Sequence, residues 1–173
     1  MTISSTRSDT PDTLSAPLFS SFFIGGFECS THRRPDGLRL DLLSSTQHDR
    51  FVCEDYARLR EAGITTAREG FRWHLIETSP GEFDFSSALP MLRAAREMGI
   101  QVIWDLLHFG WPDHVDIWDE SFPQRFAAFA LEAARVLRQF GDETPFVAPV
   151  NELSFLSFLL FFGSFMFIKT DKE

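Results

Sequence analysis

The sequence has little cysteine: Cys29 and Cys53 are the two in its 173 residues, and their spacing matches no metal-binding pattern. Two such cysteines predict reduced thiols in an intracellular chain and not a disulfide framework. The first seventeen residues hold no long apolar run, so we expect no secretory signal peptide. They are rich in Ser, Thr and Asp, and we therefore expect a flexible tail over residues 1–17 and a cytoplasmic location.

Positive charge is also scarce. Sixteen Lys and Arg residues stand against 25 Asp and Glu, which gives a net charge of −9. Nucleic-acid binders concentrate Lys and Arg, so no nucleic-acid partner is expected. No glycine-rich phosphate loop follows the first apolar run, so a nucleotide-binding function is unsupported and no cofactor is expected. An acidic surface is compatible with a neutral ligand such as a sugar.

Apolar residues are abundant, at 44% of the chain, and they alternate between short and long runs. Short runs predict strands at residues 19–24, 64–69, 100–107 and 146–150. Between them, helical spacings predict three helices that stop at Gly63, Gly99 and Gly141. This alternation predicts a parallel α/β layout within residues 18–152. Periodicity alone does not choose between a barrel and a doubly wound open sheet.

Polar and aromatic side chains gather at the ends of the predicted strands. In a βα barrel, the active site is built from the C-terminal ends of the strands and the following loops. Sugars are bound by carboxylates and amides, which take the hydroxyls, and by flat rings, which cover C–H faces. The residues at these ends are Glu28, His32, Arg68, Glu69, Asp105, His108, Trp111, Asn151 and Glu152.

Three motifs in this set carry a resemblance to a known clan. Arg68, with Trp73 five residues on, resembles the second-strand signature of the β-glucosidase-like families. Residues 108–112, His-Phe-Gly-Trp-Pro, resemble their third-strand motif, and Asn151-Glu152 is similar to the Asn-Glu pair that ends their fourth strand. The resemblance spans residues 19–156 and includes 6-phospho-β-glucosidases and β-galactosidases. It implies a partial (β/α)₈ TIM barrel, made of about the first four βα units, and a β-glycoside substrate.

The resemblance also implies residue roles. Glu152 would be the general acid/base, Asn151 would bind the sugar 2-hydroxyl, and His108 would contact the non-reducing sugar. Arg68 would support the carboxylates, although it could instead be an ion-pair partner of Glu69 or Glu152.

Two further residues are candidate sugar contacts, and two depart from the expected pattern. Glu28 lies near the position of a sugar-binding Gln, and Trp111 is a candidate sugar platform. Phe109 replaces the usual Trp of the third-strand motif. Pro149 is unusual within a central strand because it cannot donate a ladder hydrogen bond.

Retaining hydrolysis needs a second carboxylate, which in this clan is a Glu at the end of strand seven. The sequence predicts four strands, so we expect a hydrolase fragment without its nucleophile half that self-associates through exposed sheet edges. Two alternatives stay open: a non-catalytic fragment that binds sugar weakly, and a fragment tethered to a membrane through residues 153–168. That uncharged run is shorter than the ~20 residues of a membrane span, so a truncated or frame-altered end over 153–173 is favoured.

A metal site is a separate possibility, because Asp105, Asp113 and His114 lie near His108 in the sequence. These four residues form no compact ligand pattern, and no metal is expected.

Overall fold

The computed structural model describes residues 17–34, 36–141 and 144–162. Its strands are β1 (Ile24–Gly26), β2 (Thr66–Gly70), β3 (Gln101–Leu107) and β4 (Phe146–Val150). Its α-helices are α1 (Leu42–Thr46), α2 (His48–Glu61), α3 (Trp73–Ile76), α4 (Leu89–Met98), α5 (Phe122–Gln139) and α6 (Leu153–Phe162), and a 3₁₀ turn covers Phe85–Ala88.

The four strands form one parallel sheet in the order β1-β2-β3-β4. Each strand therefore pairs with the next one along the chain. In a doubly wound open sheet the order in which strands are added reverses beside the first strand, whereas a (β/α)₈ barrel adds its strands in sequence order. The strand order thus makes the choice that periodicity left open, and the predicted parallel α/β layout is confirmed.

Aromatic residues fill the layer between the sheet and its helices. Trp104 of β3 stacks on Phe71 with ring centroids 4.7 Å apart, and Trp73 stacks on Phe129 of α5 at 4.8 Å. Phe129 and Ala133 are fully buried, which agrees with the apolar face predicted for that helix. Pairs of this kind stabilise a core by about 0.5–1.5 kcal/mol beyond the area they bury.

The first strand differs from its prediction. Residues 19–24 were expected to form it, but β1 begins at Ile24, and Phe22 and Phe23 are 94% and 71% exposed. The glycines expected to end the strand lie inside it. A Cβ on Gly25 would stand 2.9 Å from the Leu59 methyl carbons of α2, so a larger residue here would force the Leu59 side chain to shift.

Pro149 lies in β4, which is an edge strand among the described residues. Val147 is 43% exposed, and Pro149 is exposed too. The register pairs Asp105 with Ala148 and Leu107 with Val150, and it skips Pro149. The proline therefore stands where a strand tolerates a missing N–H.

The Phe-rich segment begins as helix α6, which the sequence did not predict. No helix within residues 17–34, 36–141 and 144–162 is long and apolar enough to cross a membrane. The rest of the run, with Lys169 and Lys172, lies outside the described residues, as do Pro35 and residues 1–16 of the predicted tail.

Glu69 turns away from the strand ends and toward α2. Its Oε1 accepts hydrogen bonds from Tyr56 (2.6 Å) and from His48 Nε2 (2.8 Å), and the carboxylate is fully buried. His48 Nδ1 donates to Asp55 at 2.8 Å. Glu69 thus lies near the end of β2 beside Arg68, as predicted, but its side chain does not join the polar set at the cavity, because successive strand residues point to opposite faces.

This network predicts that stability falls as the pH rises above neutrality. Burial alone would lower the pKa of His48, but Glu69 and Asp55 outweigh it and hold the pKa above its usual value. A raised pKa means that the folded state binds the proton more tightly. The stabilisation is complete below the unfolded value of about 6.5 and is lost as the pH rises through the folded value.

Urea unfolding of the wild type and of His48→Gln, from about pH 5 to about pH 9, measures this effect. The difference in unfolding free energy between the two proteins should shrink with rising pH. A difference that stays constant over that range would contradict the prediction.

Candidate functional site

An open cavity of about 710 Å³ lies at the carboxyl end of the sheet. Its lining combines charged and amide groups with a run of apolar side chains. The residues that line it are Glu28, Ser30, His32, Leu42, Arg68, His108, Phe109, Asn151, Glu152, Phe155, Phe158 and Leu159. Five of the six predicted site residues are among them.

The polar wall is one hydrogen-bonded network across three strands. Arg68 donates to Asp105 Oδ1 from Nε (3.1 Å) and Nη2 (2.7 Å), and its Nη2 also donates to Asn151 Oδ1 (2.5 Å). The Asn151 amide nitrogen lies 2.9 Å from His108 Nε2. Arg68 reaches this wall because it points to the face of β2 opposite Glu69.

Asp105 is the ion-pair partner of Arg68, in place of the Glu69 or Glu152 that the sequence left open. The carboxylate is 1% exposed, and its second oxygen lies 3.2 Å from His108 Nδ1 and 3.5 Å from Cys29 Sγ. The sequence placed Asp105 at a strand end but gave it no role. A lone Asp inside an apolar strand was the available signal, because a buried carboxylate must be paired.

Glu28 and His32 follow β1 and face the same cavity. Burial raises the pKa of Glu28, but hydrogen bonds from the backbone and side chain of Ser30 act against burial, and the pKa lies below its usual value. Its Oε1 accepts from the Ser30 backbone N–H at 2.9 Å and lies 3.5 Å from His108 Nε2. Burial lowers the pKa of His32, whose Nδ1 is buried without a hydrogen-bond partner. Near neutral pH, the cavity therefore presents the ionised carboxylate of Glu28 and the neutral imidazole of His32.

Glu152 lies at the turn between β4 and α6, with an exposed side chain. Its carboxylate makes no hydrogen bond to the described part of the chain. Its φ is +43° and that of Phe109 is +59°, so two cavity residues adopt a left-handed conformation that non-glycine residues rarely take. Such strain is frequent where a side chain must be aimed at a ligand.

Helix α6 supplies the apolar wall, which the sequence prediction missed. Phe155 contacts Phe109 edge to face, with ring centroids 5.8 Å apart, and Leu159 is 4% exposed. Phe155, Phe158 and Leu159 are spaced i, i+3 and i+4, which places them on one helix face. That spacing was the available signal, but the run was assigned to an altered chain end.

Trp111 is the predicted site residue that does not line the cavity. Its ring packs against the hydrophobic core, and its carbonyl oxygen accepts a hydrogen bond from Arg39 at 3.0 Å. Trp73 is also a core residue, with its indole N–H donating to Glu77 at 2.7 Å. The geometry gives neither ring a sugar-facing position.

One group of side chains in the described residues could hold a metal ion. The ligand atoms of Cys29, Asp105 and His108 lie within 4.8 Å of one another. Burial raises the pKa of the Cys29 thiol, and Asp105 raises it further, so the sulfur is held as a neutral donor and not as a thiolate ligand. Contacts of Cys29 and His108 with Asp105 account for the arrangement without a metal ion. Asp113 and His114, which lie near His108 in the sequence, do not belong to this group.

The sheet order, together with solved structures of similar fold, identifies the architecture. The chain has the fold of one part of a (β/α)₈ barrel, with four of its strands and their helices, and this fold matches part of solved glycosidase barrels. No protein-family model matches the sequence. No curated protein matches it significantly either. The resemblance to solved structures is clear, however.

Three solved glycosidases illustrate that resemblance. The β-glycosidase BGL167 is 27% identical, with a TM-score of 0.53 over 67% of this chain and 29% of its own. The exo-β-1,4-mannosidase Op5Man5 from Opitutaceae bacterium strain TAV5 is 21% identical, with a TM-score of 0.57 over 75% of this chain and 24% of its own.

A rice β-glucosidase variant in a covalent complex with Glc is the third. It is 16% identical, with a TM-score of 0.58 over 79% of this chain and 34% of its own. At these identities the rice enzyme and the mannosidase show the fold alone. The chain thus spans about a quarter to a third of the length of the glycosidases that it resembles.

The Arg68–Asp105 pair should contribute more to stability than an exposed pair. Arg68→Met removes two hydrogen bonds to a carboxylate that is 1% exposed, and we expect a loss of about 2 kcal/mol of unfolding free energy. Arg33→Met is the matched control, because Arg33 pairs with the exposed Asp113. It should cost no more than about 0.5 kcal/mol. Equal losses in urea unfolding would contradict the prediction.

Proposed function

We propose that this cavity binds a β-glycoside and that Glu152 is the acid/base of a retaining glycoside hydrolase site. The observation that carries the proposal is the Asp105–Arg68–Asn151–His108 network, with Glu152 beside it on the same cavity. The network orients an amide at the position where the resemblance places the group that binds a sugar hydroxyl. The glycosidase fold of the chain supports the substrate class.

The groups of the cavity suit the steps of retaining hydrolysis. Protonated Glu152 would give its proton to the glycosidic oxygen as the bond to the anomeric carbon breaks, while a second carboxylate bonds to that carbon. Water then releases the sugar, with Glu152 taking back a proton. Asn151 has one amide N–H turned to His108 and a second left for the sugar. Ionised Glu28 would accept hydrogen bonds from sugar hydroxyls.

The second carboxylate decides between a catalytic and a purely binding role for the chain. A retaining site places its two carboxyl groups about 5–5.5 Å apart, on opposite faces of the sugar. Glu28 is the other carboxylate on the cavity among the described residues, and it is engaged by Ser30 beside His108. This engagement favours a sugar-contacting role for Glu28. We therefore propose sugar binding without turnover for the chain alone.

Self-association belongs to the same proposal. β1 and β4 each pair on one side among the described residues, and Val147 is partly exposed on β4. Unpaired parallel edges of this kind are available to a further strand, from this chain or from a second copy.

Binding can be measured directly with methyl β-glucoside by two-dimensional NMR titration. We expect shifts at Arg68, His108 and Asn151, and weaker shifts with the α-anomer. Asn151→Ala should weaken binding about tenfold, because one hydrogen bond to the sugar is lost and Arg68 loses a partner. Gln139→Ala, which removes an exposed amide at the end of α5, is the matched control and should change nothing. Unshifted cavity resonances at saturating sugar would reject the proposal.

Hydrolysis is tested with an aryl β-glucoside that has a good leaving group. Such a substrate needs little help from an acid and reports mainly on the nucleophile. We expect no turnover above the uncatalysed rate, since Glu152 is assigned as the acid/base and Glu28, the other carboxylate on the cavity among the described residues, is engaged by Ser30. Turnover that disappears in Glu28→Gln but survives in Glu54→Gln, on the exposed face of α2, would identify Glu28 as a nucleophile and contradict us.

A further inference from the structure

We propose that Asp105 is a positioning residue that holds His108 as the tautomer with its proton on Nδ1, and thereby orients the Asn151 amide toward the ligand. The effect on ligands rests on the proposed function of the cavity. The tautomer itself does not, because it follows from hydrogen bonds that are present without a ligand.

The first step is the orientation of the Asn151 amide. Arg68 Nη2 lies 2.5 Å from one of its terminal atoms. A guanidinium has donors and no acceptor, so the atom that it faces is the carbonyl oxygen Oδ1. The amide nitrogen is then the atom 2.9 Å from His108 Nε2. Asn151 is 6% exposed, so water gives it little reason to turn the other way.

The second step is the proton on His108. An amide N–H that points at Nε2 requires a lone pair there, so Nε2 is unprotonated. A neutral imidazole carries its proton on the other nitrogen. Nδ1 lies 3.2 Å from Asp105 Oδ2 and 3.0 Å from Cys29 Sγ. The ionised carboxylate accepts that proton more strongly than a thiol sulfur does.

The third step explains why Asp105 cannot be replaced by its amide. Its Oδ1 accepts both hydrogen bonds from Arg68, so this side must stay an oxygen in any substitute. In Asp105→Asn, the new NH₂ would therefore face His108 Nδ1 as a donor. That favours the opposite tautomer, with the proton on Nε2 pointing at the Asn151 N–H. Two donors would then face each other, and Asn151 must give up a hydrogen bond.

A residue outside the cavity therefore determines the direction of the Asn151 amide inside it. Asp105 does not line it, yet its two oxygens hold the two side chains that in turn hold Asn151. Cys29 closes the cluster from behind. A Cβ on Gly70 would stand 2.3 Å from its sulfur, so the glycine at the end of β2 leaves the space that the thiol occupies.

The test is a long-range ¹H–¹⁵N NMR spectrum of the His108 ring in the ligand-free chain near neutral pH. Protonated and unprotonated ring nitrogens have well-separated ¹⁵N shifts, and assignment comes from the loss of the signals in His108→Gln. We expect the Nδ1–H form in the wild type and a shift toward Nε2–H in Asp105→Asn. A wild-type ring that is protonated on Nε2, or on both nitrogens, would overturn the proposal without any variant.

Two further variants separate this role from a general loss of packing. Asp113→Asn also removes a carboxylate between two arginines, Arg33 and Arg39, and should leave the tautomer and methyl β-glucoside binding unchanged. Cys29→Ala should keep the Nδ1–H form, because the carboxylate remains. If Cys29→Ala inverts the tautomer, the thiol is the determinant and Asp105 is not.

Binding supplies the functional readout. Asp105→Asn should weaken methyl β-glucoside binding about tenfold, as expected for one misdirected hydrogen bond. Wild-type affinity in a variant with the inverted tautomer would overturn the link to the ligand. If the wild type shows the Nδ1–H form but binds no sugar, the proposed function fails and the positioning of His108 stands.

Discussion

A carboxylate buried inside a sheet must be compensated by charge and hydrogen bonds, and three separate segments provide this around Asp105. Arg68 comes from β2, Cys29 from the loop after β1, and His108 from the end of β3 itself. The effective cost of burying an ion is several kcal/mol, so none of these partners can be lost cheaply. The geometry of the cavity wall follows from that constraint. The same contacts around Asp105 also fix how β1, β2 and β3 align with one another, because its partners come from these strands or from the residues that follow them.

Strand β2 shows how alternation divides neighbouring polar side chains between the cavity and helix α2. Arg68 points into the cavity, and the next residue, Glu69, points to α2, where Tyr56 and His48 hold it. One Glu69 oxygen remains buried without a hydrogen-bond partner, so the loss of a further partner would leave the buried carboxylate poorly compensated. Neighbours in sequence thus serve two polar networks that share no side chain. Each network packs one side of the same parallel strand.

The sequence predicted well those features that depend on local signals. Residues 146–150 were bounded correctly because a proline-containing apolar run ends at Asn151, and the amphipathic face of α5 follows from its regular spacing. The direction of the Glu69 side chain was not predicted, because composition does not reveal which alternate residues of a strand face the cavity. β1 was misplaced because Gly25 and Gly26 were interpreted as its end, whereas both lie inside the strand and Gly25 faces Leu59 of α2.

The candidate site was predicted in outline but not in its supporting layer. Motifs named Arg68, His108, Asn151 and Glu152, and the structure brings them to one cavity. The partner of Arg68 was missed because Asp105 is distant in sequence and no motif links the two. The wall formed by α6 was missed because an apolar run carries no information about which surface it will cover. Both gaps concern contacts that exist only after folding.

The left-handed backbone at Glu152 has a consequence for how this turn can evolve. A side chain with φ of +43° costs about 1 kcal/mol relative to glycine, which adopts that conformation freely. Selection for folding alone would therefore favour glycine or asparagine between β4 and α6. A glutamate at this position is paid for only while its carboxylate is useful. Replacement of Glu152 by glycine or asparagine in a related chain would therefore indicate that the carboxylate is not used in that chain.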